Sequence, residues 1–264
     1  MNEAFLERAV GRNVFGSDAA GYAAGRLSYP AAIYDRIAAV CSLEDAQVFE
    51  IGPGSGQATA ELIRRGAIVT AIEPDPALAT TLANNVGASP GQLIVRNEAF
   101  ETAKLAPNTF DLGVAATSFT WLDPDIALPN VLDALRPGGW WAMWWNLFED
   151  VRGDPIFQAA LRDTPRPPSF SSGRHAALDH ERWLRKLAAN GFTNAAFEKV
   201  EHTVEFTPAA LRALYATFSP LRALPVEKRD QRLAAVEASA ADEAQDGIVR
   251  RVFSSPFYLA QKPL

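Results

Sequence analysis

Between Val48 and Thr59 the chain reads Val-Phe-Glu-Ile-Gly-Pro-Gly-Ser-Gly-Gln-Ala-Thr, and this stretch limits the possible folds more than any other. An apolar run enters a turn with glycine at alternate positions, Gly52, Gly54 and Gly56. Glycine reaches backbone conformations closed to residues with a Cβ and leaves no side chain between the backbone and a ligand. Ala58 to Arg65 then has helix composition, so a helix N-terminus points at whatever the glycines admit. A buried strand, a sharp turn and a helix outline a nucleotide site inside an α/β fold.

The following segments repeat that alternation. The helix stops at Gly66, and Ala67 to Ile72 is an apolar, partly β-branched run suited to a buried parallel strand. Asp75-Pro76 and Asp123-Pro124 are helix starts, an N-cap acceptor followed by a proline whose missing N–H costs nothing there. Leu78, Leu82 and Val86 mark one buried helix face, and Ile126, Leu128, Val131, Leu132 and Leu135 the other, with a kink or restart at Pro129. Strands are predicted at Gln92 to Val95, Phe110 to Ala116 and Trp140 to Trp145, the last after an Arg136-Pro137-Gly138-Gly139 turn. Five alternations predict a doubly wound, mostly parallel sheet with helices on both faces.

The flanks are less regular. Residues 3–15 place Phe5, Leu6, Ala9 and Val10 at helical spacing, and Phe15 to Pro30 forms an arm carrying Tyr22, Arg26 and Tyr29. Residues 164–173 form a proline and serine loop with the character of a lid. Beyond it come a helix over Asp179 to Ala189, a strand over Val200 to Phe206, helices from Thr207-Pro208 and over Pro225 to Ala244, and a last strand over Ile248 to Ala260, broken near Ser254-Ser255-Pro256. The short Asp246-Gly247 link predicts that this last strand leaves the parallel order.

Composition narrows the class. With 25 Lys and Arg against 31 Asp and Glu the net charge is −6, so no overall positive field draws the chain to nucleic acid or an anionic membrane. Cys41 is the only cysteine, which excludes an internal disulfide and a cysteine zinc cluster and fits a reducing compartment. Met1 to Gly16 lacks the apolar core of a signal peptide, and the longest wholly apolar run, Trp140 to Trp145, is too short for a bilayer. The expectation is a cytoplasmic protein.

Spacing discriminates among glycine turns. A dinucleotide fingerprint wants its third glycine at the sixth position, where this chain has Gln57, and a P-loop wants Gly-Lys-Ser/Thr, where it has Gly56-Gln57-Ala58. Two acids remain, Glu50 before the glycines and Glu73 closing the next strand. A carboxylate at the end of the second strand accepts both hydroxyls of a ribose.

Glu50-Ile51-Gly52-Pro53-Gly54-Ser55-Gly56, Ala71-Ile72-Glu73-Pro74-Asp75, Phe110-Asp111-Leu112 and Leu135-Arg136-Pro137-Gly138-Gly139, in that order and spacing, resemble the class I S-adenosylmethionine-dependent methyltransferases. The flanks, Tyr22 to Pro30 and Gly247 to Lys262, resemble the UbiE-like and trans-aconitate-type group of bacterial small-molecule enzymes. The resemblance implies a seven-stranded sheet of order 3-2-1-4-5-7-6 with strand seven antiparallel. One domain would span residues 1–264, with cap elements at 1–35, 146–178 and 207–245 over the acceptor.

Carried over by residue, the resemblance implies that Gly52, Gly54 and Gly56 lie against the methionine part of S-adenosylmethionine, with Glu50 near its amino group. Glu73 would hold the ribose hydroxyls, with Ile72 and Pro74 flanking the adenine. Ala99 and Phe100 fall at the adenine amino group, where Ala99 replaces the usual acid and leaves the contact to the Phe100 backbone or Glu98. Ala116 completes the cofactor set. Tyr22, Arg26 and Tyr29 would fold over it, Arg26 meeting the carboxylate. Thr120 stands where close relatives often have a histidine before Trp121. His175, His180 and Trp121 are the candidate catalytic residues, against readings of the histidines as solvent-exposed. His202, alternating with valines, is a strand histidine, and the four tryptophans of 140–145 are core filling before a substrate cage. No spacing suggests a metal.

The chemistry implied is transfer of a methyl group to O, N or C of a small molecule, releasing S-adenosylhomocysteine, by a monomer or homodimer without nucleic-acid or membrane partners. A non-catalytic S-adenosylmethionine-binding or regulatory protein is the alternative, and an NAD(P)-dependent oxidoreductase a third, opposed by Gln57.

Overall fold

The computed structural model describes residues 14–149, 153–162, 164, 170–171 and 174–264. Seven principal strands build one sheet: β1 Gln47–Ile51, β2 Ile68–Ile72, β3 Leu93–Arg96, β4 Phe110–Ala116, β5 Leu135–Trp144, β6 Thr193–Phe206 and β7 Val249–Gln261. Their spatial order is 3-2-1-4-5-7-6, parallel through β5, with β7 antiparallel to both β5 and β6. The two-residue strand Leu147–Phe148 adds an eighth member beside β7. The predicted topology holds, with that addition.

The helices are α1 Ala19–Gly25, α2 Ala31–Ala38, α3 Gln57–Arg64, α4 Pro76–Asn85, α5 Pro124–Ala134, α6 Pro155–Leu161, α7 His180–Ala189, α8 Pro208–Ala216 and α9 Val226–Glu243. On one face of the sheet Leu128 and Val131 of α5 and Trp183 and Leu187 of α7 pack against Phe49, Trp141 and Trp145. On the other, Ile33, Tyr34 and Ile37 of α2, Leu62 of α3 and Leu82 of α4 pack against Val48, Val69, Val114 and Trp144. Both faces are covered, which is why the strands are apolar without alternation. A third cluster joins α6, α8 and α9 to Phe206, Val249 and Phe253.

Trp141, Trp144 and Trp145 are fully buried, so the tryptophan run is core. Phe49 owes its place to Gly113, its partner across the β1–β4 pair, where a Cβ would lie 2.2 Å from the Phe49 ring.

Three expectations need correction. The strand predicted from Val200 starts at Thr193, because β7 is long enough to pair with all of it. The last strand is unbroken through Ser254-Ser255-Pro256: Pro256 falls between the residues bonded to Leu147–Phe148 and those bonded to β5, so its missing N–H costs that side no ladder bond. Helix α5 continues through Pro129, its loss of one N–H offset by full burial of Leu128 and Val131 on the sheet. The helix expected over residues 3–15 and most of the loop 164–173 lie outside the described residues.

Candidate functional site

The site begins where β1 ends. Gly52 N–H donates to Ile72 O at 2.9 Å, and the chain turns back through Gly52 (φ +60°), Gly54 (φ +60°) and Gly56 (φ +99°) into α3. A Cβ on Gly52 would lie 2.7 Å from that of Ser118 at the end of β4. Glycine is therefore required there by both conformation and space.

Glu73, beyond β2, is 4% exposed. Its two carboxylate oxygens accept from Gly54 N–H and Asp75 N–H, each at 3.0 Å. Burial pushes its pKa up to about 7, and the two amide donors offset only part of that. Each oxygen keeps acceptor capacity for a ligand.

Glu50 points beneath the turn. One carboxylate oxygen accepts from Thr59 Oγ1 at 2.6 Å, and the other is buried without a partner. Burial, aided by the neighbouring charge of Glu73 and opposed by Thr59, raises its pKa to about 7.

The opposite wall is the end of β4. Thr117 adopts φ +67°, an unusual conformation for a β-branched residue. Its N–H donates to Trp144 O at 2.7 Å, and its hydroxyl lies 3.0 Å from Tyr29 Oη on the arm. Ser118 Oγ donates to Ile51 O, tying this wall to the glycine turn.

Helix α1 closes the third side. Its Asp18 cap accepts from Gly21 N–H at 2.9 Å, and Tyr22 and Arg26 face the cleft. The Arg26 guanidinium lies 5.7 Å from the Tyr22 ring centre and donates to Thr217 Oγ1 at 3.5 Å. Among the described residues it pairs with no carboxylate.

These walls border a cleft, open to solvent, at the carboxyl ends of β1, β2 and β4, where open α/β sheets bind ligands. Of the residues expected from sequence, Tyr22, Arg26, Gly52, Gly54, Ile72, Glu73, Pro74, Phe100, Ala116 and Trp121 line it. The other cofactor residues named from sequence do not. Glu50 is turned toward Thr59, Gly56 is turned against Leu82 of α4 and Val86 at its end, Ala99 sits in a turn whose carbonyl accepts from Thr102 and Ala103, Tyr29 is spent on the Thr117 hydroxyl and Glu98 on Arg96.

Neither candidate histidine reaches the cleft. His175 Nδ1 accepts from Ala177 N–H at 3.1 Å, and burial lowers its pKa to about 4. His180 stacks on Phe197 at 4.9 Å. Thr120, where a histidine was looked for, accepts the indole N–H of Trp145 at 2.9 Å.

Phe15, Leu78, Glu101, Thr117, Ser118 and Leu122 also line the cleft, and none of them is a site residue expected from sequence. Leu78 lies on a helix face already read as buried. Thr117 gave no signal, because its left-handed conformation depends on Tyr29 and Trp144 from other elements. Among the described residues no group of three or more His, Cys, Asp or Glu could hold a metal ion, and no helix is long and apolar enough to cross a membrane.

Residues 49–143 match the family described as a methyltransferase domain. An uncharacterized methyltransferase of Mycobacterium tuberculosis strain H37Rv is 29% identical over 219 residues, 83% of this chain and 82% of that protein. Among solved structures, one of a protein from Anaeromyxobacter dehalogenans, provisionally named a type II methyltransferase, superposes with a TM-score of 0.63 at 18% identity, covering 90% of this chain and 97% of that one. Phosphoethanolamine N-methyltransferase 2 of Haemonchus contortus, in complex with phosphomonomethylethanolamine and S-adenosylhomocysteine, gives a TM-score of 0.58 at 14% identity. The match covers 97% of this chain but 58% of that one, so this chain spans little more than half of that enzyme's length.

Proposed function

We infer that the cleft is the active site of an S-adenosylmethionine-dependent methyltransferase, the enzyme class to which the matched domain and the related proteins assign this chain, and that its acceptor is a small molecule. The observation that carries the inference is that Glu73 and Arg26 both line the cleft without bonding to each other. One is a buried carboxylate with acceptor capacity beside the glycine turn, and the other a guanidinium without an acidic partner among the described residues. A ligand with a vicinal diol and an amino-acid carboxylate satisfies both.

The residues present fit that ligand. Gly54 leaves space beside the Tyr22 ring that a side chain would fill, and the unpartnered oxygen of Glu50 behind the turn favours a positive group nearby. Ile72, Pro74 and Phe100 offer an apolar slot for a purine. Bound S-adenosylmethionine supplies an electrophilic methyl group on a sulfonium. The chain's contribution is alignment of an O, N or C nucleophile in line with that group and exclusion of water by Phe15, Tyr22 and Trp121. No imidazole lines the cleft among the described residues, so a general base is not assigned.

On this reading the acceptor would bind under the cap elements expected at 1–35, 146–178 and 207–245, parts of which lie outside the described residues. The UbiE-like and trans-aconitate-type group and a cytoplasmic location belong to the same proposal.

Thermal shift with S-adenosylhomocysteine, S-adenosylmethionine and NAD(P) in parallel tests it, because a ligand raises stability only by binding the folded state. Stabilisation by the first two is expected. Stabilisation by NAD(P) alone refutes the reading, and binding of S-adenosylhomocysteine without turnover across an acceptor panel favours a non-catalytic binding protein.

A further inference from the structure

Arg222 ends the short helix Ser219–Arg222 and stands 207 residues from Phe15 in sequence. In space its guanidinium tethers the start of the arm, residues 14–18. Nε donates to Val14 O at 2.8 Å, and Nη2 donates to Phe15 O at 3.1 Å, to Ser17 Oγ at 3.1 Å and to Asp18 O at 3.5 Å. Nη1 donates to Ala216 O at 3.4 Å, fixing the fork to its own side of the molecule. A planar guanidinium can serve several acceptors at once, and an ammonium on a flexible stem cannot reproduce that geometry.

The arm is bounded on its far side as well. Gly16 packs so close to the Asp75 side chain that a Cβ there would lie 2.0 Å from a carboxylate oxygen. Asp75 follows directly on Glu73 and Pro74 of the cleft wall. Held between Arg222 and Asp75, Phe15 lies 5.3 Å from the Tyr22 ring and 5.9 Å from the Trp121 ring, and closes the cleft. Within the segment, Gly16–Asp18 forms a single 3-10 turn and Ser17 Oγ donates to Val14 O at 2.9 Å.

We propose that Arg222 is a positioning residue for this cleft: by tethering residues 14–18 it holds Phe15 against Tyr22 and Trp121, and so sets the affinity for the bound ligand. The proposal rests on the reading of the cleft as the S-adenosylmethionine site. Apparent affinity falls in proportion to the population of the binding-competent conformer. If loss of the tether leaves the closed arm populated a tenth of the time, the dissociation constant rises about tenfold.

Titration calorimetry with S-adenosylhomocysteine on the full chain tests this with Arg222→Ala, Arg222→Lys, Phe15→Ala and the double variant Phe15→Ala/Arg222→Ala. Arg232→Ala is the control, since Arg232 also binds main-chain carbonyls, those of Ala159 and Arg162, but away from the arm. The expected result is about tenfold weaker binding for both Arg222 variants and for Phe15→Ala, unchanged binding for Arg232→Ala, and no further loss when Arg222→Ala is added to Phe15→Ala. That non-additivity separates action through Phe15 from general destabilisation, which would add in either background. Wild-type affinity in both Arg222 variants, or additive losses in the double variant, overturns the proposal while leaving the cofactor reading intact. Failure of the wild-type protein to bind S-adenosylhomocysteine overturns both.

Discussion

The Glu73 carboxylate accepts the Gly54 N–H at 3.0 Å. Through that bond the acid closing β2 holds the glycine turn that follows β1, two segments brought together by parallel pairing of Ile51 with Ile72. The group assigned to the ligand's ribose thus also shapes the turn assigned to its amino-acid half.

Glu73 makes ligand affinity pH-dependent. Its pKa in the folded protein is raised to about 7, and hydrogen bonds from a diol favour the ionised form, so binding lowers that pKa and expels a proton below it. Affinity for S-adenosylhomocysteine should rise with pH up to about 7 and level off above it, with proton release on the acid side. Calorimetry in two buffers of different ionisation enthalpy measures the release, and Glu73→Gln should reduce it along with the affinity. A release unchanged in Glu73→Gln would assign the titration elsewhere.

Glu50 is the converse case, a group whose burial costs the empty protein stability. Its folded pKa of about 7 lies above its unfolded value of 4.5, so the folded state binds the extra proton, and stability is lost as pH rises from about 4.5 to 7. Glu50→Gln keeps an acceptor for Thr59 Oγ1 and removes the buried charge. Urea unfolding should show the variant more stable than wild type by on the order of 2 kcal/mol at pH 8, and by much less at pH 5. Equal stability at the two pH values would contradict the assignment.

Gly52→Ala combines two penalties. The left-handed conformation costs a residue with a Cβ about 1–2 kcal/mol, and the new Cβ would lie 2.7 Å from that of Ser118, adding about 1–3 kcal/mol of overpacking. A loss of about 2–5 kcal/mol in urea unfolding is expected. The double variant Gly52→Ala/Ser118→Gly should recover the steric part but not the conformational part; no recovery would mean that the clash is not with Ser118.

Much of the frame was legible because it is written locally. Asp75, Asp123 and Thr207 each precede a proline and each accepts from the first turn of its helix, from Ala77 and Leu78, from Asp125, and from Ala210 respectively. The glycine turn and Glu73 were legible for the same reason. The missed features depend on distant partners. Thr193 to Lys199 shows weak strand character and is held by the full length of β7, while Ser254-Ser255-Pro256 reads as a break yet lies where β7 changes partners. Glu50 was placed correctly on β1 but assigned to the ligand wall, because the sequence does not say that its side chain turns toward Thr59. The tether of the arm by Arg222 spans more than 200 residues, a separation no local pattern records.

Binding of S-adenosylmethionine in the cleft between Gly54, Glu73 and Arg26 is open to a single titration. S-adenosylhomocysteine is titrated into wild type and Arg26→Met, the substitution that removes the cleft's guanidinium while breaking no ion pair among the described residues. One-to-one binding by wild type is expected, with affinity at least about tenfold weaker in Arg26→Met, as suits loss of a charge-assisted bond to the ligand carboxylate. Absence of wild-type binding, or equal affinity in the two proteins, would contradict it.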